Sequence, residues 1–417
     1  INEEITYLKF KEVLRDIISK NHKEIKFWNM SINFDVQATK FEVSDYAVFL
    51  DGLQEEFKIM FIISTGNNTD GGDDKISPPS DSFRALSVSA VKQDLSRTSY
   101  TKKGSIGFHA SKPDVSIFGG DINDRISVVS NNKIVETTGG SSYATPLITR
   151  LVANLTNMQY SLLEIPAILS SYSSWVAQKR CLKDIAYYPT GALPIDNTEL
   201  FNMINKKLMW VSTTSVGGGY RHGFYNLEFP LFEEGYDFKF ILSYNVDAKF
   251  AKNSTFEYVL DSTKVVMGRE NPFKKNNINS TDSTWLLSEG VGNEELSKFL
   301  FLTEASQRIF KGKYKNRNTL ISWPKRIRSS SKTQRPKNQE VKTLPIKKWG
   351  LSFVRDVIDT TINRKEMRDQ EIAIAFIGES ANYDFYDSFV NLNHDIVEKI
   401  NISSDVKNVV SDEIIFE

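Results

Sequence analysis

Apolar positions recur along this chain with two periods, and the change from one to the other falls near residue 205. Over residues 1–20, Ile5, Leu8, Val13, Leu14, Ile17 and Ile18 are spaced among charged residues as one face of an amphipathic helix. Residues 25–32 predict a short buried strand. Ser44 and Asp45 are capping residues ahead of Val48, Phe49, Leu53 and Phe57, so a second helix is expected there. Residues 59–64 form a continuous apolar strand that ends at Thr65-Gly66-Asn67-Asn68. Residues 83–91 predict a third strand and residues 112–120 a fourth, short one. The intervening stretch, 69–82, is rich in Asp, Gly, Pro and Ser and is expected to be a surface loop. Leu147, Leu151 and Leu155 recur every fourth residue with Ile148 and Val152 beside them, predicting a buried helix. Leu162, Leu163, Ile165, Ile168 and Leu169 predict a further helix or helix pair between Tyr160 and Trp175. Helices alternating with near-continuous apolar strands define an α/β fold, a parallel sheet with helices on both faces. Ligands of such sheets bind beyond the carboxyl ends of the strands. Ser31 and Gly66-Asn67 stand at two of those ends.

Beyond residue 205 the period becomes two. Tyr236, Phe238, Phe240, Leu242 and Tyr244 alternate with polar residues; Phe256, Tyr258 and Leu260 repeat the habit, and Ile372, Ala373, Ile374 and Phe376 do so less cleanly. Half-buried antiparallel strands follow, and with them an accessory β-sandwich or jelly-roll-like domain. The division is therefore 1–200 and 201–417. Glu295, Leu296, Phe299, Leu300, Leu302 and Phe310 predict a helix at 293–310 inserted in the second part.

Charge changes this picture little. Lys and Arg number 52 and Asp and Glu 52, for a net charge of zero. No global field favours a nucleic acid as a partner, and no apolar run reaches the roughly 20 residues of a membrane span. The one local bias is 311–348, with thirteen Lys and Arg against Glu340. It is either a contact for a polyanion or acidic partner or a solvated basic loop, and sparse aromatic interleaving favours the loop. The lone cysteine, Cys181, excludes an internal disulfide and fits a reducing compartment, so a cytoplasmic location is expected, with secretion the alternative.

Candidate chemistry concentrates at Gly139-Gly140-Ser141-Ser142-Tyr143-Ala144-Thr145-Pro146, just ahead of the apolar run from Leu147. The glycines permit a tight turn or a close backbone approach. Pro146 is expected within the first turn of the helix, where its missing N–H is tolerated. Ser142 then sits at a helix N-terminus, where backbone N–H groups and the dipole favour negative charge. That suits a nucleophile, and equally an ordinary cap.

Three further segments, read with this one, carry a family resemblance. Asn29-Met30-Ser31-Ile32-Asn33 resembles the Asn-Met-Ser-Leu-Gly strand of the subtilisin-like serine proteases (subtilases). Ile63-Ser64-Thr65-Gly66-Asn67 resembles their Ala-Ala-Gly-Asn segment, and Lys112-Pro113-Asp114-Val115 their Lys-Pro-Asp-Val loop. The loop's usual Ala-Pro-Gly continuation is Ile117-Phe118-Gly119 here. Gly140-Ser141-Ser142-Tyr143-Ala144-Thr145-Pro146 resembles the Gly-Thr-Ser-Met-Ala-Thr-Pro signature around the nucleophile. The four motifs occur in family order.

The resemblance implies a serine endopeptidase acting through an acyl-enzyme on Ser142, with peptide or protein as substrate. Asn67 would complete the oxyanion hole through its side-chain amide; in subtilisin itself loss of such a donor costs roughly 10²–10³-fold in rate. Ser31, Ile32 and Asn33 would pair with the substrate and wall its P1 pocket, with Ser64 and Gly66 on the other side. The family usually has glycines where Asn33 and Phe34 stand, which leaves the pocket's shape open. No cofactor is implied beyond calcium, whose site cannot be placed, since no run of metal ligands is evident.

The triad is incomplete. A serine hydroxyl needs an adjacent base, and in the family an imidazole oriented by a carboxylate serves. The four histidines, His22, His109, His222 and His394, lie in nothing like a His-Gly-Thr-His helix, and no Asp-Thr-Gly or Asp-Ser-Gly strand end occurs. Since the first residue is Ile1 and the resemblance begins late in the family's order, the Asp and His are expected on an upstream segment. This chain alone is then expected to be inactive. The alternatives are a catalytically inactive relative that binds peptides or a partner protein, and a recruited histidine such as His109.

Overall fold

A computed structural model of the chain describes residues 7–34, 43–68, 75–104, 112–180, 189–206, 208–216, 222–229, 237–247, 261–270, 299–301, 317–321, 327–328, 349–357 and 370–380. Its first half is the expected α/β layer structure. Four strands, β1 (Phe27–Met30), β2 (Met60–Ser64), β3 (Leu86–Val91) and β4 (Val115–Phe118), form a parallel sheet in sequence order. Register runs Phe27↔Met60, Ile62↔Leu86 and Val88↔Val115. All residues of β2, β3 and β4 are buried, which is why these strands read as near-unbroken apolar runs.

Side chains alternate between the two faces of β2. Phe61 and Ile63 join Ile18, Leu50 and Leu53 from α1 (Tyr7–Asn21) and α2 (Asp45–Phe57). Met60 and Ile62 join a larger cluster with Ile148, Leu151 and Leu155 of α3 (Ser141–Asn157) and Ile168, Leu169 and Tyr172 of α4 (Glu164–Arg180). α2 starts where its capping residues put it. Ser44 Oγ accepts the Ala47 N–H at 3.2 Å, a cap of about 1 kcal/mol. The Asp81 carboxylate in turn accepts the Ser44 N–H at 2.7 Å and its hydroxyl at 2.9 Å.

Asp81 belongs to a stretch expected at the surface, and here the structure corrects the sequence. Ile76, Ser77, Ser80, Asp81 and Ser82 are buried. Their polar groups are satisfied internally: Ser80 Oγ donates to Ser77 O at 2.6 Å, and Ser82 Oγ to the buried Asp51 carboxylate at 2.6 Å. A polar loop can be buried once its hydrogen bonds are made within the protein. A hairpin also goes unannounced in the pattern: β5 (Ile126–Ser130) and β6 (Lys133–Thr137), joined through Asn131 and Asn132 at φ 50° and 59°. Asparagine tolerates the left-handed backbone that such a turn requires.

The second half is β-rich and antiparallel. Its strands are β7 (Met209–Val216), β8 (His222–Phe229), β9 (Asp237–Val246), β10 (Asp261–Glu270), β11 (Phe299–Phe301), β12 (Arg317–Ile321), β13 (Ile327–Arg328), β14 (Trp349–Val357) and β15 (Gln370–Ser380). One sheet has the order β11-β10-β14-β8; the other has β12-β9-β15-β7, with β13 also on β9. The second sheet is built onto the α/β part. α4 packs on β9 and β15, and Met209, Val211, Ile241, Ala375 and Ile377 lie in the same cluster as α3 and α4. Helix α5 (Thr198–Asn205) runs across position 200 and buries Leu200 and Met203 there as well.

Two expectations for this half need correction. Phe299–Phe301, assigned to a helix at 293–310, is a strand with Phe301 opposite Gly268. A short apolar run does not distinguish helix from strand by spacing alone, and alternating Phe-Leu-Phe suits a sheet. The basic segment 311–348 is not all loop, since Arg317–Ile321 and Ile327–Arg328 pair with β9. Lysine and arginine are well tolerated on such edge strands. The remainder of both segments, and Phe256, Tyr258 and Leu260, lie outside the described residues.

Candidate active site

The site begins with a close approach between the end of β4 and the start of α3. Gly140 N donates to Gly119 O at 2.9 Å. Gly139 has φ +88°, and a Cβ there would lie 2.0 Å from Gly119 O, so only glycine fits. The helix then starts at Ser141, and Pro146 is its sixth residue, a turn deeper than its spacing implied. Its missing N–H deprives the Ser142 carbonyl, four residues earlier, of an intrahelical donor. Ser31 Oγ, just past the end of β1, donates to that carbonyl at 3.3 Å.

Asn67 reaches the same turn from beyond β2. Its Oδ1 accepts the Ser141 N–H at 2.8 Å and the Ser141 hydroxyl at 2.9 Å. With the oxygen committed to two donors, the amide nitrogen lies on the other side, beside Gly140, 3.0 Å from where a Cβ would stand. Ser142 itself is exposed. As the second residue of α3 it has no intrahelical acceptor for its N–H. The helix start therefore presents two hydrogen-bond donors, Ser142 N–H and Asn67 Nδ2, at its positive end. Such a pair can stabilise an anion.

The expected substrate walls come together at the ends of β1 and β2. Asn33 Nδ2 donates to Ser64 O at 2.7 Å and to Ser77 O at 3.4 Å, and Asn33 Oδ1 accepts the Ser64 hydroxyl at 2.8 Å. Asn33 thus ties the two strand ends where the family usually has glycine. Phe34 turns instead onto Tyr46, ring centroids 3.8 Å apart and nearly parallel. Ile32 is 53% exposed. Gly66 has φ +83°, and a Cβ there would meet Ser77 Oγ at 3.2 Å and Asn33 Cγ at 3.5 Å. Sequence reasoning missed Ser77 and its partner Lys102, whose Nζ donates to Ser77 Oγ at 2.7 Å. No motif links two residues 25 positions apart.

Lys112-Pro113-Asp114 proves to be structural. Lys112 Nζ, fully buried, lies 2.5 Å from Asp114 Oδ2 and donates to Ala85 O at 2.9 Å. Asp114 Oδ2 also accepts the Ser87 N–H and hydroxyl at 2.7 and 2.8 Å. Near the turn, Tyr100 OH donates to Gly120 O at 2.6 Å, and burial pushes its phenol pKa up. The neighbouring Asp121 is held below the ordinary carboxylate value. Burial, the largest single influence, opposes this, but the Ser99 hydroxyl and the Ile122 and Ser99 N–H groups together outweigh it.

Among the described residues no histidine is hydrogen-bonded to Ser142. His22 Nδ1 lies 3.0 Å from Ser19 O at the end of α1, with its ring against Phe57. His222 is in β8, and His109 and His394 lie outside the described residues. Among the described residues no group of three or more His, Cys, Asp and Glu could hold a metal ion, and no helix is long and apolar enough to cross a membrane.

The parallel sheet thus brings Asn67 and Ser31 to the turn that starts α3. Residues 5–174 match the model of the Subtilase family. Among solved structures, the chain is similar to the self-cleaved protease domain of PatA, at 18% identity over 49% of this chain and 70% of that one, with a TM-score of 0.35. It is also similar to a serine-to-alanine mutant of that domain, at 16% identity over 49% and 68%, TM-score 0.35. A structure described as the patellamide maturation protease PatA matches at 16% identity over 49% and 71%, TM-score 0.33. No curated protein sequence matches.

Proposed function

We propose that this chain carries the nucleophile and the oxyanion-binding groups of a serine endopeptidase of subtilisin type. Ser142 Oγ attacks the scissile carbonyl carbon as an imidazole takes its proton. The oxyanion accepts from Ser142 N–H and Asn67 Nδ2, and the leaving amine receives the proton as the acyl-enzyme forms. Residues 31–33 add the peptide as a strand, and Ser64 and Gly66 face its P1 side chain. The imidazole and its carboxylate come from a segment outside this sequence. The observation that carries the reading is Asn67, whose oxygen is fixed by Ser141 and whose amide nitrogen stands beside Gly140, at the helix start that carries the exposed Ser142.

A second reading is a peptide-binding subtilase domain without turnover. It is favoured by the lack, among the described residues, of any hydrogen bond to the Ser142 side chain. A fluorophosphonate probe separates the two. Labelling of Ser142 in the complete gene product, lost in Ser142→Ala, is expected. Failure to label where a control subtilase does supports the second reading. The chain of residues 1–417 alone is expected to hydrolyse peptides weakly or not at all. Appreciable turnover abolished by Ser142→Ala would require a histidine within the chain.

A further inference from the structure

Beneath the walls assigned to the P1 side chain, three residues converge whose chemistry is polar and cationic. A Cβ at Gly66 would stand 3.2 Å from Ser77 Oγ and 3.5 Å from Asn33 Cγ, so these groups lie directly behind the wall. Asn33 has both amide hydrogens and its oxygen engaged by Ser64 and Ser77. It cannot turn away to leave an apolar surface. Ser77 Oγ is held by the Lys102 ammonium at 2.7 Å. That half-buried ammonium has three hydrogens, and among the described residues its partner is this neutral hydroxyl and no carboxylate.

We infer that Lys102 sets the P1 preference of this cleft, and that the side chain it selects is a short acidic one. The inference rests on the reading of residues 31–33 and 64–66 as the substrate walls. An apolar P1 side chain would cover the half-buried Lys102 ammonium without replacing its lost hydration, an unfavourable exchange for a charged group. A basic side chain would meet a like charge. A carboxylate gives the ammonium a charged acceptor in place of water, with Ser77 Oγ able to donate to it as well. Asn33 occupies the space between the strand ends, so an aspartate-length side chain fits this floor better than a long one.

Binding tests the inference without requiring turnover. Fluorescein-labelled hexapeptides that share one sequence and end in Asp, Asn, Leu or Lys at P1 are titrated into the full chain, with anisotropy as readout. The Asp peptide is expected to bind about fivefold to tenfold more tightly than the isosteric Asn peptide, the scale of one partly solvated ion pair. Added salt should narrow that ratio. Lys102→Met should bring it to within about twofold while lowering the thermal melt by only about 2–4 °C, since it takes one partner from a single buried hydroxyl. Equal binding of the Asp and Asn peptides, tighter binding of the Leu peptide, or an Asp preference that survives Lys102→Met overturns the inference and leaves the cleft intact. Binding of none of the four overturns the cleft reading, and the inference falls with it.

Discussion

Asn67 accepts two hydrogen bonds from Ser141, from its N–H at 2.8 Å and from its hydroxyl at 2.9 Å. The side chain that caps α3 is therefore the one whose amide nitrogen stands beside Gly140, just ahead of Ser142. A helix N-terminus needs acceptors for its first N–H groups, and no side chain at Gly140 can supply one. An asparagine 74 positions earlier does so, and the same bond orients its nitrogen. On the proposed reading, stability and chemistry at this turn share one residue, and suitable substitutions separate them.

Asn67→Ala removes both functions. It is expected to destabilise the chain by about 1–2 kcal/mol in urea titrations, the scale of a lost cap and its hydrogen bonds. Asn67→Asp keeps an acceptor for Ser141 and replaces the amide donor with an anion. It should retain most of the stability but reduce the rate of peptide hydrolysis, or of probe labelling in the complete gene product, by roughly 10²–10³-fold. Equal stability losses in the two variants would contradict the capping role.

The two adjacent glycines make a second contrast. At Gly139 an alanine methyl would stand 2.0 Å from a backbone oxygen with φ at +88°. Gly139→Ala is expected to cost on the order of 3 kcal/mol or more. Gly140 is extended, with φ 163°, which any residue adopts, and the nearest atoms to its added methyl would be those of the Asn67 side chain. Gly140→Ala should cost about 1 kcal/mol in stability, yet displace the Asn67 amide and impair Ser142 as strongly as Asn67→Asp does. Thermal melts alongside probe-labelling rates distinguish the two variants.

What the sequence conveyed follows the same physics. β2, β3 and β4 were readable because strands covered on both faces must be apolar throughout, and α2 because Ser44 is a local cap. That Ser31 and Asn67 would meet the turn at Ser141-Ser142 was readable because such turns need short, specific motifs. The depth of Pro146 in α3 was not readable, because the Ser31 hydroxyl that answers its missing N–H lies 111 positions from the carbonyl it serves. Nor was the burial of residues 76–82, whose composition is that of a loop and whose hydrogen bonds run to Asp51 and Ser44. Phe299–Phe301 became a strand through pairing with β10, a partner that periodicity does not name. Lys102 and Ser77 likewise meet only in the folded chain.

Acidification offers a test at Asp121. Its carboxylate pKa is lowered in the fold from the ordinary 3.8, so the ionised form is the one that the native state favours. The stabilisation is fully present above that ordinary value. It is lost as pH falls below about 4 through the lowered native value. Asp121→Asn should be less stable than the parent by about 1–2 kcal/mol near pH 7, given three charge-assisted donors. The gap should narrow toward pH 3. Denaturant midpoints measured from pH 3 to 7 check this, and a gap that widens in acid would reverse the assignment.

Arg84 Nη1 and Asp247 Oδ1 lie 2.6 Å apart and join the approach to β3 with the residue after β9. Arg84 is largely buried and its guanidinium is also within 3.8 Å of Glu55. Burial works against the charged form of Arg84, and the Asp247 carboxylate more than offsets it. Asp247 is partly exposed, so solvent screens the pair, and a coupling of about 1 kcal/mol is expected rather than a deeply buried bridge's larger value. A double-mutant cycle with Arg84→Met and Asp247→Asn measures it. Because this sheet shares a core with α3 and α4, the single variants should lower one cooperative unfolding transition rather than split it in two. A second transition, with the α/β part melting unchanged, would mean that the β-rich region unfolds independently and that the Arg84–Asp247 contact does not couple the two.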